Sequence, residues 1–228
     1  MPVIAFASPK GGVGKSTSAL ILATEIAKRG ADVTLIDADP NHPLLRWSKR
    51  PGKPANVQVI ADANEESIID VIEDAARATT FVIVDLEGTA SRMVAYALSR
   101  ADLVVIPTQG SEVDGVEAFK AVKLIQTQER AFNRKLPFAV LFTRVSAAIA
   151  TRDLKDIQGQ LAKVGVPMFK TQMVERAAFR ALFSFGGTLD DLDPTDVNNI
   201  PAALDNAHDF TAEVLTTLKQ TSREGRAA

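Results

Sequence analysis

The 228-residue sequence contains no cysteine and only two histidines, His42 and His208, which lie far apart. The lack of cysteine excludes disulfides, thiolate catalysis, iron–sulfur clusters and cysteine-ligated zinc. No apolar run approaches the roughly 18 residues that span a bilayer. The first residues also lack the basic and long apolar segments of a signal peptide. We therefore expect a cytoplasmic protein with no histidine-rich metal site and no membrane attachment.

The sequence has little net charge, only −2, but its basic and acidic residues are unevenly distributed. Residues 116–187 contain 12 basic and 5 acidic residues, whereas the segments before and after them are net acidic. A basic segment between acidic ones is compatible with two interpretations: a surface that binds a polyanion, or solvated helix faces that happen to be rich in Lys and Arg. Charge alone favours solvated helix faces, because no run of basic residues is dense.

Short, almost continuously apolar runs alternate along the chain with segments of helical periodicity. The runs predict buried strands at Val3–Ala7, Val33–Ile36, Phe81–Val84, Leu103–Ile106 and Phe138–Phe142, with shorter candidates at Val57–Ile60 and Pro167–Phe169. The periodic segments predict helices at Lys15–Arg29, Ser67–Ala78, Ser91–Ser99, Val113–Phe132, Thr151–Lys163 and Pro201–Gln220. This alternation predicts an α/β fold with a mostly parallel central sheet and helices on both faces. We expect one domain over residues 1–220, a loose tail over 221–228, and a partly irregular stretch at 41–54.

A glycine-rich segment, Ser8-Pro9-Lys10-Gly11-Gly12-Val13-Gly14-Lys15-Ser16-Thr17, joins the first predicted strand to the first helix. Its glycines leave backbone N–H groups free to surround phosphate oxygens. Lys15 can neutralise the β- and γ-phosphates at the helix N-terminus, and the Ser16 hydroxyl can bind Mg²⁺. A glycine-rich turn without a ligand is the alternative, but Gly-Lys-Ser between a strand and a helix argues against it. The segment predicts a fold of the P-loop NTPase type.

The loop departs from the general pattern G-x-x-x-x-G-K-[ST], because Pro9 occupies the first glycine position and Lys10 follows it. This form resembles the deviant Walker A motif of the ParA/MinD family of ATPases. The resemblance implies an ATP-dependent homodimer in which Lys10 reaches the ATP of the partner subunit. There it would stabilise transition-state charge, as an arginine finger does. The resemblance also implies that the loop residues bind ATP: Lys10, Gly11, Gly12, Val13, Gly14, Lys15, Ser16 and Thr17.

Carboxylates follow two of the predicted strands. Asp85 comes directly after Phe81–Val84 in the form of a Walker B motif, which predicts a place beside Mg²⁺. Asp37-Ala38-Asp39-Pro40 resembles the second-strand motif of the family, which implies that Asp39 orients the attacking water and Asp37 lies near the metal. A single aspartate could merely cap a helix, but three at strand ends beside a phosphate loop indicate a ligand site. The predicted catalytic residues are Lys10, Lys15 and Asp39, and the predicted metal residues are Ser16, Asp37 and Asp85.

The resemblance continues along residues 2–220 and weakens after residue 145. Thr143 and Arg144 occupy the place where relatives contact the adenine, which makes them the predicted base contacts. After Asp85 the sequence reads Leu86-Glu87-Gly88 where many relatives have Thr-Pro-Pro. We interpret Glu87 as a loop substitution and leave it out of the catalytic set.

Composition separates the sequence from several branches of the family. The nitrogenase iron protein and the arsenite pump need cysteines, and the bacterial tyrosine kinases need a tyrosine cluster, whereas Tyr96 is the only tyrosine here. MinD-like proteins end in a basic membrane helix, but Asp205, Asp209 and Glu213 make the last helix acidic. The phosphate loop begins by residue 10, so we expect no N-terminal helix-turn-helix domain. Small ParA proteins are the branch that the sequence resembles.

In ParA relatives the ATP-bound dimer binds DNA without sequence preference through basic residues late in the chain. The corresponding residues here are Arg152, Lys155, Lys163, Lys170, Arg176 and Arg180. The resemblance implies a slow ATPase that uses ATP and Mg²⁺, is stimulated by DNA and a ParB-like partner, and associates with the nucleoid. Its cargo would be a plasmid, a chromosome, transferred DNA or a protein assembly. An ATP-dependent ligase or carboxylase of the same superfamily is the alternative, and Lys10 favours the partition ATPase.

Overall fold

The computed structural model describes residues 1–88, 91–147 and 151–227. A single sheet of seven parallel strands forms its centre, in the order β3-β2-β4-β1-β5-β6-β7. The strands are β1 Val3–Phe6, β2 Val33–Ala38, β3 Val57–Ile60, β4 Phe81–Leu86, β5 Leu103–Thr108, β6 Phe138–Val145 and β7 Met173–Val174. The predicted α/β fold with a parallel central sheet is confirmed.

Helices cover both faces of the sheet, because the strands are apolar on both sides and must be buried on both. They are α1 Lys15–Lys28, α2 Pro43–Ser48, α3 Ile68–Ala78, α4 Arg92–Arg100, α5 Glu112–Phe132, α6 Arg152–Lys163, α7 Ala177–Phe185 and α8 Ile200–Ala227, with a 3₁₀ turn at Leu189–Asp191. Helices α1, α2, α7 and α8 share one apolar core, and α3, α4, α5 and α6 share the other. Within the described ranges, no helix combines the length and apolarity needed to cross a membrane.

The central strand β1 shows why this sequence places its glycine-rich loop in the middle of the molecule. Ile4 and Phe6 point into the first core, while Val3 and Ala5 point into the second, and all four are buried. Hydrogen bonding to β4 on one side and β5 on the other leaves β1 no free edge. The loop therefore emerges at the centre of the carboxyl edge of the sheet, where ligands bind in open α/β folds.

Two sequence predictions differ from the structure. The expected strand at Pro167–Phe169 is reduced to one isolated bridge between Met168 and Val140, and the edge strand is β7 instead. Helix α8 continues to Ala227, so residues 221–227 are helical and not a loose tail, while residue 228 lies outside the described residues. No glycine or proline occurs at 221–224, so nothing in the backbone ends the helix there. The stretch at 41–54 is partly irregular, as predicted, and contains the short helix α2.

Candidate nucleotide-binding site

The phosphate loop has the backbone that an anion cradle requires. Gly12 and Gly14 adopt left-handed conformations with φ of +74° and +90°, which side-chain-bearing residues rarely tolerate. Gly14 is the N-cap of α1, so the unpaired N–H groups of the first helical turn face the loop. The loop borders a cavity of about 480 Å³ whose other walls carry Asp39, Glu87 and Arg144.

Lys15 lies at the start of α1 with only 6% of its surface exposed, and its Nζ lies 3.3 Å from the carbonyl oxygen of Lys10. Burial lowers the pKa of Lys15, while the nearby carboxylates of Asp85, Asp39 and Glu87 raise it. The ammonium group is therefore poorly solvated and is surrounded by carboxylates of the same edge. A phosphate in the cavity would supply the compensating negative charge that water does not.

Asp37 and Asp85 stand side by side in the register of β2 and β4. The sequence placed them after the ends of these strands, but each lies within its strand and is fully buried. Oδ1 of Asp37 and both carboxylate oxygens of Asp85 lack a hydrogen-bond partner among the described residues. Burial raises the pKa of Asp85 to about 7; Asp37 also raises it, whereas the Ser16 hydroxyl and Lys15 lower it.

Unpartnered carboxylate oxygens beside a hydroxyl fit a hard divalent cation, because buried charges are tolerated when they bind a metal. Ser16, Asp37 and Asp85 would therefore hold Mg²⁺ here, and the bound ion would neutralise phosphate charge. Among the described residues no group of three or more His, Asp or Glu side chains could hold a metal. Mg²⁺ is usually bound by one or two carboxylates and completes its coordination with water and phosphate oxygens, so the two aspartates and Ser16 would be enough.

Asp39 lies just beyond β2 and faces the same cavity as the phosphate loop. Its Oδ1 accepts hydrogen bonds from the backbone N–H and the side-chain amide of Asn41, at 2.8 and 3.0 Å. These bonds fix the carboxylate orientation while its other oxygen makes no hydrogen bond in the described structure. Glu87, which the sequence interpretation left out, also lines this cavity and influences the pKa of Lys15.

Lys10 is held away from the cavity by an ion pair. Its Nζ lies 2.6 Å from Oδ1 of Asp114, near the start of α5, and its side chain is 37% exposed. Ser111 caps the same helix and donates its hydroxyl to Asp114. Burial acts to raise the pKa of Asp114, but the hydrogen bonds from Lys10 and Ser111 outweigh it and lower the pKa. Lys10 is thus positioned at the surface by a strong, charge-assisted contact.

Thr143 and Arg144 lie against the phosphate loop. The Thr143 hydroxyl is 2.6 Å from the carbonyl oxygen of Val13, and Nη1 of Arg144 donates to the carbonyl of Gly12 at 3.1 Å. Both residues also line a narrower second cavity, together with Gly14, Thr17, Ser18, Met173, Val174, Glu175, Arg176, Phe179 and Arg180. Both residues therefore adjoin the phosphate loop, and their contact with adenine stays a prediction.

The six basic residues predicted to bind DNA lie on three parts of the chain. Arg152, Lys155 and Lys163 lie on α6, where Asp153 and Asp156 partly offset their charge. Lys170 follows on a loop whose backbone is bound by Glu213 of α8. Arg176 and Arg180 line the second cavity, where Arg180 pairs with Glu175 and Nε of Arg176 is buried without a partner in the described structure. Their role in DNA binding stays a prediction.

Sequence reasoning missed two contributors to the site. Asp114 pairs with Lys10 across 104 residues, and Gln109 donates its side-chain amide to the carbonyl of Gly12 at 3.1 Å. A signal for Asp114 was available, because Ser111 and Asp114 have the spacing of a capping box at the start of a predicted helix. No local sequence pattern predicts the contact of Gln109 with Gly12, because it depends on β1 and β5 being neighbours in the sheet.

A deviant phosphate loop on a parallel sheet, with carboxylates from two neighbouring strands, defines a P-loop ATPase of the ParA/MinD class. The family described as VirC1 protein matches residues 1–213, and the chain belongs to it. "Protein ParA" of Rhizobium radiobacter is 41% identical over 223 residues, which cover 98% of this chain and all of the relative. "Protein virC1" of Rhizobium rhizogenes is 29% identical over 187 residues, or 80% of each chain.

Solved structures give the same fold. The ATP complex of Cyanothece McdA carrying an aspartate-to-alanine substitution superposes with a TM-score of 0.74 and 15% identity. The superposition covers 97% of this chain and 96% of that one. The predicted membership of the ParA/MinD family and the P-loop fold are confirmed, and the chain is an ATPase by family.

Proposed function

We propose that the protein is an ATP-driven partition or positioning ATPase that dimerises on ATP and then binds DNA without sequence preference. The observation that carries this proposal is the position of Lys10. It lies on the phosphate loop, yet it points to Asp114 and not into the cavity of its own subunit. A second lysine that does not serve its own nucleotide has a clear use if it reaches the nucleotide of a second subunit.

The remaining site residues support the chemistry. Lys15 and the loop amides would bind the phosphates of ATP, while Ser16, Asp37 and Asp85 would hold Mg²⁺. Asp39 would orient the attacking water, because its carboxylate is fixed at the rim of the cavity. Hydrolysis would be slow in the isolated protein and faster with DNA and a ParB-like partner. The cellular site would be the nucleoid, and the cargo a plasmid, a chromosome or transferred DNA.

The decisive experiment measures mass by light scattering and phosphate release, each with ATP and Mg²⁺, and with and without duplex DNA. We expect a monomer without nucleotide, a dimer with ATP, and faster phosphate release when DNA is added. Lys15→Ala is the matched control, since it removes the lysine that faces the phosphates and should abolish every response to ATP. An unchanged mass of the wild-type protein with ATP would contradict dimerisation, and no DNA binding at low salt would contradict the partition role.

A further inference from the structure

The stretch from residue 41 to residue 56 has a charge pattern that the nucleotide site does not explain. It contains four basic residues, Arg46, Lys49, Arg50 and Lys53, and no acidic residue. This density of uncompensated positive charge lies outside the basic segment at 116–187 from which the DNA contacts were predicted.

Helix α2 and the turn that follows it present three of these charges. Arg46 lies on α2, Lys49 is its C-cap and Arg50 comes next, and all three are exposed. The backbone N–H of Arg50 donates to the carbonyl of Trp47, which keeps the turn close to helical, so the spacing of three and four residues places the charges on one side. Leu44 and Trp47 lie on the opposite face and are buried in the core. Among the described residues, none of the three basic side chains forms an ion pair. We call Arg46, Lys49 and Arg50 the α2 basic face.

The α2 basic face rests on a rigid base. Nε1 of Trp47 donates a hydrogen bond of 2.9 Å to the carbonyl of Gly187. Gly186 packs so closely that a Cβ added there would lie 2.5 Å from Cβ of Arg50, and one added at Gly52 would lie 2.8 Å from Cα of Gly187. Backbone therefore packs directly on backbone, and the three charges have fixed origins on the surface.

The same helix is bonded to the candidate metal site. The backbone N–H of Leu45 donates to Oδ2 of Asp37 at 2.9 Å, so one carboxylate oxygen holds α2 while the other lacks a partner in the described structure. A cation bound by Asp37 would act directly on the group that positions α2. The face is thus connected to the nucleotide site by one hydrogen bond.

We propose that the α2 basic face is the surface through which the ATP-bound protein contacts the phosphate backbone of duplex DNA. This inference rests on the proposed function and names its DNA contacts. The face consists of two arginines and one lysine, and the side-chain amide of Asn41, which precedes α2, is bonded to Asp39. Cations that contact phosphates neutralise backbone charge, which carries no sequence information, so we expect binding that is independent of sequence.

Helix α6 is the competing surface, and it fits less well. Its three basic residues are accompanied by Asp153 and Asp156, and Nε of Arg152 lies 3.9 Å from Oδ2 of Asp156. Phosphate groups approaching α6 would meet carboxylates of the helix itself, whereas residues 41–56 contain none. Asp191 lies near Gly52, but its Oδ2 accepts hydrogen bonds from the backbone N–H and the hydroxyl of Thr188.

The test compares two triple variants that remove the same charge. One is Arg46→Ala/Lys49→Ala/Arg50→Ala on α2, and the other is Arg152→Ala/Lys155→Ala/Lys163→Ala on α6. Affinity for two unrelated duplexes is measured with ATP and Mg²⁺ at several salt concentrations, together with ATP affinity and circular dichroism. The α2 variant should bind both duplexes at least tenfold more weakly, and the slope of log affinity against log salt should fall by about 0.9 for each phosphate that is no longer neutralised. Its ATP affinity and helix content should not change.

The outcomes separate the inference from the proposed function. If wild type binds DNA and the α2 variant binds equally well, or both variants weaken equally, the inference is overturned while the proposed function stands. If wild type binds no DNA in ATP, the proposed function itself fails. Arg46→Lys/Arg50→Lys keeps the charge, so it should bind both unrelated duplexes with equal affinity and with the salt dependence of wild type. A smaller salt slope or a preference for one duplex would contradict charge-driven backbone contact. Binding of wild type to vesicles of phosphatidylglycerol, abolished by the α2 triple variant and unaccompanied by DNA binding, would assign the face to a membrane and overturn the inference.

Discussion

Asp85 provides the sharpest test of the buried carboxylate pair. Its two oxygens are buried without partners among the described residues, and burial raises its pKa from 3.8 to about 7. The unfolded chain releases this proton near pH 4, but the folded protein keeps it until near pH 7. Between these values the folded state binds more protons, so the stability of the nucleotide-free protein falls as the pH rises.

The substitution Asp85→Asn removes this penalty with almost no change in shape. A pKa difference of about three units corresponds to about 4 kcal/mol, at 1.36 kcal/mol per unit, which is an upper limit. An amide in the same place stays uncharged at every pH, although its own buried polar atoms need partners. We expect the nucleotide-free variant to be about 2 to 4 kcal/mol more stable than wild type at pH 8, with the difference shrinking toward pH 4.

Urea unfolding without nucleotide or metal, at pH 4.5 and at pH 8, measures this difference. Glu25→Gln is the matched control: Glu25 is also buried, and burial raises its pKa, but it lies at the far end of α1 from the phosphate loop. Both variants should gain stability at high pH. In a second series with ATP and Mg²⁺, only Asp85→Asn should lose the additional stabilisation that Mg²⁺ gives. A stability difference for Asp85→Asn that is independent of pH would refute this account of the carboxylate.

Three further substitutions test two residues of the site and one packed turn beside α2. Lys10→Ala should keep ATP binding but lose the ATP-driven increase in mass and the turnover, and a variant that still dimerises would remove Lys10 from the interface. Asp39→Ala should bind ATP yet release phosphate about 100-fold more slowly, because the water is no longer oriented, whereas a wild-type rate would exclude that role. Gly186→Ala should lower the free energy of unfolding in urea by about 2 kcal/mol or more, since φ is +87° and its Cβ would meet Pro51 at 2.6 Å; an unchanged stability would contradict the close packing of this turn.

The parts of the structure that sequence predicts are those with local causes. Six of the seven strands are short apolar runs that the sequence predicts, and their parallel arrangement follows from burial on both faces, whereas the two-residue β7 was not predicted. The phosphate loop follows from glycines that must adopt positive φ and from the helix that begins at Lys15. Asp37, Asp39 and Asp85 are brought to one edge because the neighbouring parallel strands β2 and β4 end there.

The parts that sequence does not predict depend on contacts between distant segments. Asp114 forms its ion pair with Lys10 only because β5 lies beside β1. The position of α2 depends on packing against Gly186 and Gly187, which lie far along the chain. The short helix α2 carries no long periodic pattern, since its six residues bury only Leu44 and Trp47. Composition does not predict ion pairs either, because a carboxylate offsets the charge of a lysine only where the fold brings the two side chains together.

These distant contacts place two elements under the influence of the same cavity. Lys10 reaches Asp114 at the start of α5, and Asp37 holds the start of α2 through Leu45. Bound nucleotide would compete electrostatically for Lys10, because phosphate oxygens attract the same ammonium group as Asp114. A cation beside the phosphates would attract the carboxylate of Asp37 in turn. One ligand would therefore act on the lysine proposed to face a second subunit and on the helix proposed to face DNA, and we expect this to couple the two surfaces.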